Sequence, residues 1–301
     1  MPEMVDVTHC LLCNGKEFTL FLEGKDRLSP ERRRFTILQC QACGFCFTSP
    51  RPATSDLMNY YPPSYVPWNK GKGALSRWLY PFYYQLTRRL VIQKGAKLLE
   101  VGCGAGIFLE CMAKKGIETY GCDIGPSILD SSSGFHFFQG AIEEAKYPTH
   151  FFDAVVVWHV LEHVVDPPET LHEISRVLKE DGQFLLSVPN IEGLDYRCFG
   201  VASPIPDLPR HLYHFSKSSL ERLLSQTGFH VERKRQDLFL PGPWIRSLFY
   251  ILEDRFSIRC SDMFLEKVSY VGLPITFLLN LPSNLIGAGN SLVWLVRKDR
   301  S

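Results

Sequence analysis

At 301 residues the chain is long enough for one full enzyme domain with appendages. Hydrophobic residues make up 45% and charged residues 22%, the balance of a globular fold, which excludes general disorder. Thirty-three basic residues against 32 acidic ones leave a net charge of +1, which excludes retention on nucleic acid by overall charge.

The N-terminal stretch MPEMVDVTHC lacks a basic region followed by an apolar run, so no signal peptide is expected. No run of about 18 apolar residues occurs to cross a bilayer, and the expected location is the reducing cytoplasm. Cys10 and Cys13 form one C-x-x-C turn and Cys40 and Cys43 another, with twenty-six residues between them. Two such turns facing each other supply four thiolates for a closed, structural zinc site; four unrelated reduced cysteines are the plainer alternative. FTLFLEG and RRRFTILQC alternate enough to form a hairpin between the turns, with KDRLSPE at its tip. Cys46 is a competing fifth thiol. Residues 1–50 are therefore expected to form a small zinc-binding knuckle, similar to a zinc ribbon.

Residues 51–95 read as a Pro-, Gly- and Tyr-rich linker followed by an aromatic helix, LSRWLYPFYYQLTRRLVI. From Leu57 to Gly95 there are basic residues (Lys70, Lys72, Arg77, Arg88, Arg89, Lys94) and no acidic one. That stretch is either a solvated face or a contact with an anionic substrate, lipid headgroup or RNA.

KLLEVGCGAG then places a short apolar strand before Gly102, Gly104 and Gly106 and a helical run, IFLECMAKKG. A glycine-rich turn between strand and helix lets the backbone approach a ligand and presents the helix N-terminus. A second strand, ETYGCDI, ends in Asp123, a side chain able to accept hydrogen bonds from both hydroxyls of a ribose.

These residues resemble the class I S-adenosylmethionine-dependent methyltransferases. EVGCGAG matches their first motif, and FHFFQGAIEEA, FFDAVVVWHVLEHVVDP and DPPETLHEISRVLKEDGQFLLSVPN follow in the family's order. The resemblance covers roughly residues 96–235 and implies a seven-stranded Rossmann-like α/β sheet. It further implies that Gly102, Gly104 and Gly106 pass close to the methionine part of S-adenosylmethionine, with Glu100 ordering the turn. Asp123 would take the ribose, Ile124 an adenine face, and Ala141 and Ile142 the adenine pocket, with Glu143 as an alternative helix cap. Trp158 and His159 would close the fourth strand beneath the sulfonium. Ile142 and Trp158 read equally well as core residues.

Methyl transfer to a hydroxyl or an acidic carbon needs a base, and histidine is the usual choice. Of nine histidines, His9, His136, His150, His172 and His230 suggest no role. His163, with Glu162, is expected to fix the VLEH turn. His211 and His214 lie after the fifth strand, before a helix for which Ser216 is a credible N-cap. The four-cysteine segment, tyrosine-rich linker and core together resemble the sugar C-methyltransferases, which act on nucleotide-linked keto-sugars. His211 aligns with that family's base, while Arg210 replaces its glutamate and His214 stands where a tyrosine is usual. His211, His214 and His159 are the candidate catalytic histidines.

FHVERKRQDLFLP and NSLVWLVRKD read as the sixth and seventh strands, the seventh reversed and at the sheet edge. The core is thus 96–241 plus 288–301, with residues 242–287 as an apolar helical insert. In its first part Trp244, Leu248 and Leu252 share one helical side. Pro274, Asn280 and Pro282 break the second part, leaving it too short to span a membrane. The insert is either a cap that forms a pocket wall or homodimer contact, or a peripheral contact with the inner face of the membrane. The expected function is methylation of a small-molecule, sugar, glycan or lipid-linked acceptor. An rRNA or tRNA methyltransferase with a zinc knuckle and an inactive cofactor-binding scaffold are the alternatives, the neutral charge disfavouring nucleic acid.

Overall fold

A computed structural model describes residues 2–62, 65, 90, 92–125, 134–236, 243–257, 260, 264–265, 268–269 and 272–299. The aromatic helix expected at 75–92, with the basic residues from Lys70 to Arg89, lies almost entirely outside them.

Near the N-terminus, β1 (Met4–Val5) pairs with β5 (Arg51–Pro52). The expected hairpin forms from β2 (Phe18–Lys25) and β3 (Arg34–Cys40), in antiparallel register from Phe18 opposite Cys40 to Lys25 opposite Arg34. At its tip the Asp26 carboxylate accepts from the amides of Leu28 (2.9 Å) and Ser29 (3.2 Å), which closes the turn. β4 (Cys46–Thr48) extends this sheet, and beyond it lies β11 (Tyr213–His214), a strand that follows five strands of the main sheet in sequence.

The main sheet is built from β6 (Lys97–Val101), β7 (Glu118–Asp123), β8 (His136–Gln139), β9 (Phe152–Trp158), β10 (Leu178–Pro189), β12 (Phe229–Gln236) and β13 (Ser291–Lys298). Its seven strands run in the order β12-β13-β10-β9-β6-β7-β8, a Rossmann-like arrangement. The central strands are apolar on both faces, as in Ala154 to Val157, all fully buried, so they take the parallel interior. Of the helices, α1 (Ile107–Ala113) follows the glycine turn, and α2 (Pro167–Val177) starts at Asp166, whose side chain accepts from Glu169 N. α3 (Leu194–Phe199) follows β10, and α4 (Lys217–Gln226) opens with the expected Ser216 cap, here a capping box completed by Ser219.

Two expectations need correction. The seventh strand is reversed, but it lies inside the sheet between β10 and β12, not at the edge. SLVWLV is buried along almost its whole length, whereas VERKR in β12 carries the charges an exposed edge requires. The insert contains α5 (Pro243–Phe256) and α6 (Leu273–Leu285), and Asn280 and Pro282 do not break the latter. Pro274 sits in the first turn, where its missing N–H costs nothing, and Pro282 falls late in the helix. In α5, Leu248 and Leu252 of the expected shared side point to solvent. Pro243, Ser247 and Tyr250 face the core, because Ser247 donates to the buried Asp195 (2.9 and 3.0 Å). No helix among the described residues is long and apolar enough to cross a membrane.

Candidate active site

β6 delivers the chain to a turn in which Gly102, Gly104 and Gly106 all adopt left-handed backbone (φ 69°, 53° and 68°). Only glycine does this without strain. At Gly102 a Cβ would also fall 2.2 Å from Val160 Cγ2, so the glycine turn and the WHVLEH turn after β9 touch. Asp123, at the end of the neighbouring strand, accepts from Gly104 N (2.8 Å) through one oxygen and from Gly125 N (2.7 Å) through the other. Glu100 is buried at the base of the turn. The arrangement presents left-handed amides and an oriented carboxylate at the C-terminal edge of the sheet, which suits a ribose-bearing cofactor.

Ile124 is half exposed beside Asp123, while Ile142 is buried in the core. Ala141 opens the turn after β8, where Glu144 rather than Glu143 caps, accepting from Ala141 N at 2.9 Å. Glu143 instead accepts from Thr170 Oγ1 (2.6 Å). Trp158 packs against the core cluster that contains Leu98, Phe108 and Leu109. His159 has φ 55°, a strained value for a side-chain-bearing residue, and lies where β9 ends. Its Nε2 sits 3.0 Å from Ser291 Oγ and 3.3 Å from Ser187 Oγ.

Three imidazoles converge on Glu162, of which sequence reasoning paired only His163 with it. His159 Nδ1 lies 3.5 Å from Glu162 Oε1, and His163 Nε2 and His211 Nε2 each lie 3.9 Å from the same oxygen. Both carboxylate oxygens are buried and find no hydrogen-bond partner among the described residues. His211 Nδ1 donates to Ile205 O (2.8 Å) and His163 Nδ1 to Arg210 O (3.0 Å), so each Nε2 faces Glu162 with a lone pair. Tyr61 Oη, from the linker, also lies 3.0 Å from His163 Nδ1. Burial raises the Glu162 carboxyl and lowers His211, and it brings His163 down to about 4. For His163 and His211 this burial favours the neutral imidazole. His214 points elsewhere: its Nε2 is 3.0 Å from Thr48 Oγ1 in β4, and burial takes it to about 3.

Arg210 has no exposure at all. Its guanidinium donates to Asp26 Oδ1 (2.9 Å) at the hairpin tip, to Asp207 Oδ1 (2.8 Å) and to Tyr60 O (3.0 Å). Although burial opposes ionisation, the Arg210 charge holds Asp207 well below the usual carboxylate range. Arg210 is thus a clamp behind His211, tying that loop to the N-terminal hairpin.

The sulfurs of Cys10, Cys13, Cys40 and Cys43 all lie within 4.8 Å of one another, with 3.5 Å separating Cys10 from Cys43 and Cys13 from Cys40. Tetrahedral Zn–S bonds of about 2.3 Å require sulfurs about 3.8 Å apart, so the donor set fits zinc. Gly15 lets the turns close, since a Cβ there would lie 3.1 Å from Cys40 Sγ. Cys46 is outside the group; its thiol faces Gly44 O (3.6 Å), and burial pushes it up to about 12.

A family model described as a methyltransferase domain matches residues 75–234, and the chain belongs to that family. Its core has the fold of the class I S-adenosylmethionine-dependent methyltransferases. It is 37% identical over 109 residues to the ubiquinone biosynthesis O-methyltransferase of Klebsiella pneumoniae subsp. pneumoniae, covering 33% of this chain and 45% of that protein. To the protein of the same name from Nitrosospira multiformis it is 29% identical over 153 residues, 46% of this chain and 64% of that one. The match therefore spans less than two thirds of either relative. Among solved structures, an S-adenosylmethionine-dependent methyltransferase from Archaeoglobus fulgidus superposes with a TM-score of 0.50 at 21% identity. That likeness covers 74% of this chain and 95% of that one, and concerns the fold.

Proposed function

We propose that the protein methylates a small-molecule acceptor at an ionisable O–H or C–H, with His211 as base and Glu162 as its electrostatic partner. The observation that carries this reading is the convergence of His159, His163 and His211 on the buried Glu162, beside the turn that meets Gly102. S-adenosylmethionine supplies a methyl group already activated on a sulfonium, so the protein has to orient it and manage a proton. Gly102, Gly104 and Gly106 line its methionine part with Glu100, Asp123 holds the ribose, and Ile124 and Ala141 flank the adenine. Ile142 and Trp158 back that pocket from the core, and His159 closes it beneath the sulfonium.

His211 is suited to the base role because Ile205 O fixes its Nδ1–H and leaves Nε2 free of protons. Once Nε2 takes a proton, the Glu162 carboxylate stabilises the imidazolium. Arg210, in place of a glutamate next to the histidine, anchors the loop, and the carboxylate comes from the facing turn. The resemblance to sugar C-methyltransferases favours a sugar, glycan or lipid-linked acceptor. The relatives named for O-methylation in ubiquinone biosynthesis also favour a small one. Zinc at the four cysteines is proposed as structural, since four thiolates close the coordination sphere.

Transfer of labelled methyl from S-adenosylmethionine into phenolic, nucleotide-sugar and polyprenyl-linked acceptors tests the reading. With the acceptor that is labelled, His211→Asn is expected to lower kcat by about 10²–10⁴-fold with cofactor affinity unchanged. An unaltered kcat removes His211 from the base role.

A further inference from the structure

The two insert helices are turned inside out. α6 buries Asn280 and Ser283 and exposes Leu278 (65%), Leu279, Leu281 and Leu285 (79%), with Ile286 (70%) just beyond its end. Its polar side faces the protein: Trp244 Nε1 donates to Asn280 Oδ1 (2.8 Å), and Ser283 Oγ donates to Asn280 O (2.7 Å). α5 behaves likewise, burying Ser247 against Asp195 while Leu248, Ile251, Leu252 and Phe256 stand exposed at helical spacing on one stripe. A helix packed on a globular core in water buries its leucines and exposes its amides and hydroxyls. No charged residue lies between Lys267 and Arg297.

The charges nearby are arranged to match. The acids of α5, Glu253 and Asp254, are both ion-paired with the N-terminal hairpin, through Lys25, Arg27 and Arg32. Three cations thus meet two anions, and the exposed Arg255 adds a further positive charge beside Phe256. At 1.5 Å per residue α6 is about 20 Å long, short of the ~30 Å hydrocarbon core. It suits lying in an interface, not crossing one.

We propose that α5 and α6 seat the protein on the surface of an anionic bilayer, with the exposed leucines among the outer acyl segments and Arg255 at the headgroups. The contact is independent of which acceptor is methylated, so it is tested without measuring activity. Flotation with phosphatidylcholine vesicles, with and without phosphatidylglycerol, is the direct assay. The full chain is expected to float with the phosphatidylglycerol vesicles and much less with phosphatidylcholine alone. Leu278→Ser/Leu285→Ser, two exposed positions, is expected to weaken that binding by about tenfold per leucine with an unchanged thermal melt. Leu248→Ser/Leu252→Ser is expected to act in the same direction, which guards against a local failure of α6. The proposal is overturned if the wild-type chain stays unbound to both vesicle types, or if both double variants float as well as it does. It is equally overturned if the chain ignores vesicles and light scattering shows a dimer that these substitutions dissolve, because a second copy then covers the leucines.

Discussion

Asp123 uses one carboxylate oxygen on each of two backbone amides, Gly104 and Gly125, so its charge orders the glycine turn and the start of the loop after β7 together. Asn at this position keeps the shape but offers one acceptor and an opposed N–H donor. Charge-assisted hydrogen bonds are worth about 1.5–3 kcal/mol each. Asp123→Asn is therefore expected to weaken S-adenosylmethionine binding by roughly 10–100-fold, as read by titration calorimetry. The buried imidazoles make a second prediction. His163 (about 4), His214 (about 3) and His211 are all lowered by burial from 6.5. Between those values and 6.5 the unfolded chain binds more protons than the folded one, so stability is present above pH 6.5 and is lost on acidification. Each group contributes up to ~1.4 kcal/mol per pH unit in that window. Glu162, raised by burial, opposes this, because its folded form protonates first. The net effect is a melting temperature that falls from pH 6.5 to 4.5, with a shallower slope in His214→Gln; a flat profile contradicts neutral burial. At this scale the cysteine pairs, the glycines and Asp123 were legible because residue type and local spacing identify them. Of the Glu162 cluster only the local pairing with His163 was, and the Arg210 clamp was not, since Arg210 meets Asp26 from 184 positions away and nothing local marks that pairing.

Among the elements, β11 has the most influence for its size. Tyr213 and His214 pair with Phe47 and Cys46, and Thr48 Oγ1 donates to His211 O (2.7 Å) while facing His214 Nε2. Phe45 stacks on Tyr213 with ring centroids 5.8 Å apart, so the four-cysteine segment packs directly behind the candidate base. Thr48→Val preserves the volume and strands the His211 carbonyl, at an expected cost of about 1–3 kcal/mol in denaturant unfolding. Periodicity and turn residues predict β2, β3 and the order of the core strands. They cannot predict a two-residue strand whose partner lies on the other side of most of the core in sequence. The interior place of β13 was foreshadowed by composition, since SLVWLV has no charge and VERKR has several. The outward leucines of α5 and α6 reverse what amphipathic spacing implies, because that pattern locates an apolar face without saying what covers it.

For the whole molecule, the tip of the N-terminal hairpin is held twice: Arg210 grips it through Asp26, and Glu253 and Asp254 of α5 grip it through Lys25, Arg27 and Arg32. The sheet of β2, β3 and β4 is completed by β11, so loss of the proposed metal is felt at the methyltransferase core. Stripping zinc with a thiol-reactive mercurial, followed by a metal indicator, is expected to release one ion per chain. Hydrogen exchange is then expected to speed up together at residues 46–48 and 211–215. Faster exchange in 46–48 alone means that the two parts are energetically separate.

That shared sheet also bears on how such a protein can be recombined. In many two-part enzymes an accessory module can be traded between relatives as long as the linker is respected. Here the boundary runs through a ladder of backbone hydrogen bonds, with residues 207–214 as much a part of the N-terminal module as of the core. A chimaera that replaces residues 1–62 while keeping the native 203–215 loop inherits a mismatched edge strand and an Arg210 without its Asp26. The two stretches form a single unit of inheritance, divided in the sequence by most of the methyltransferase domain.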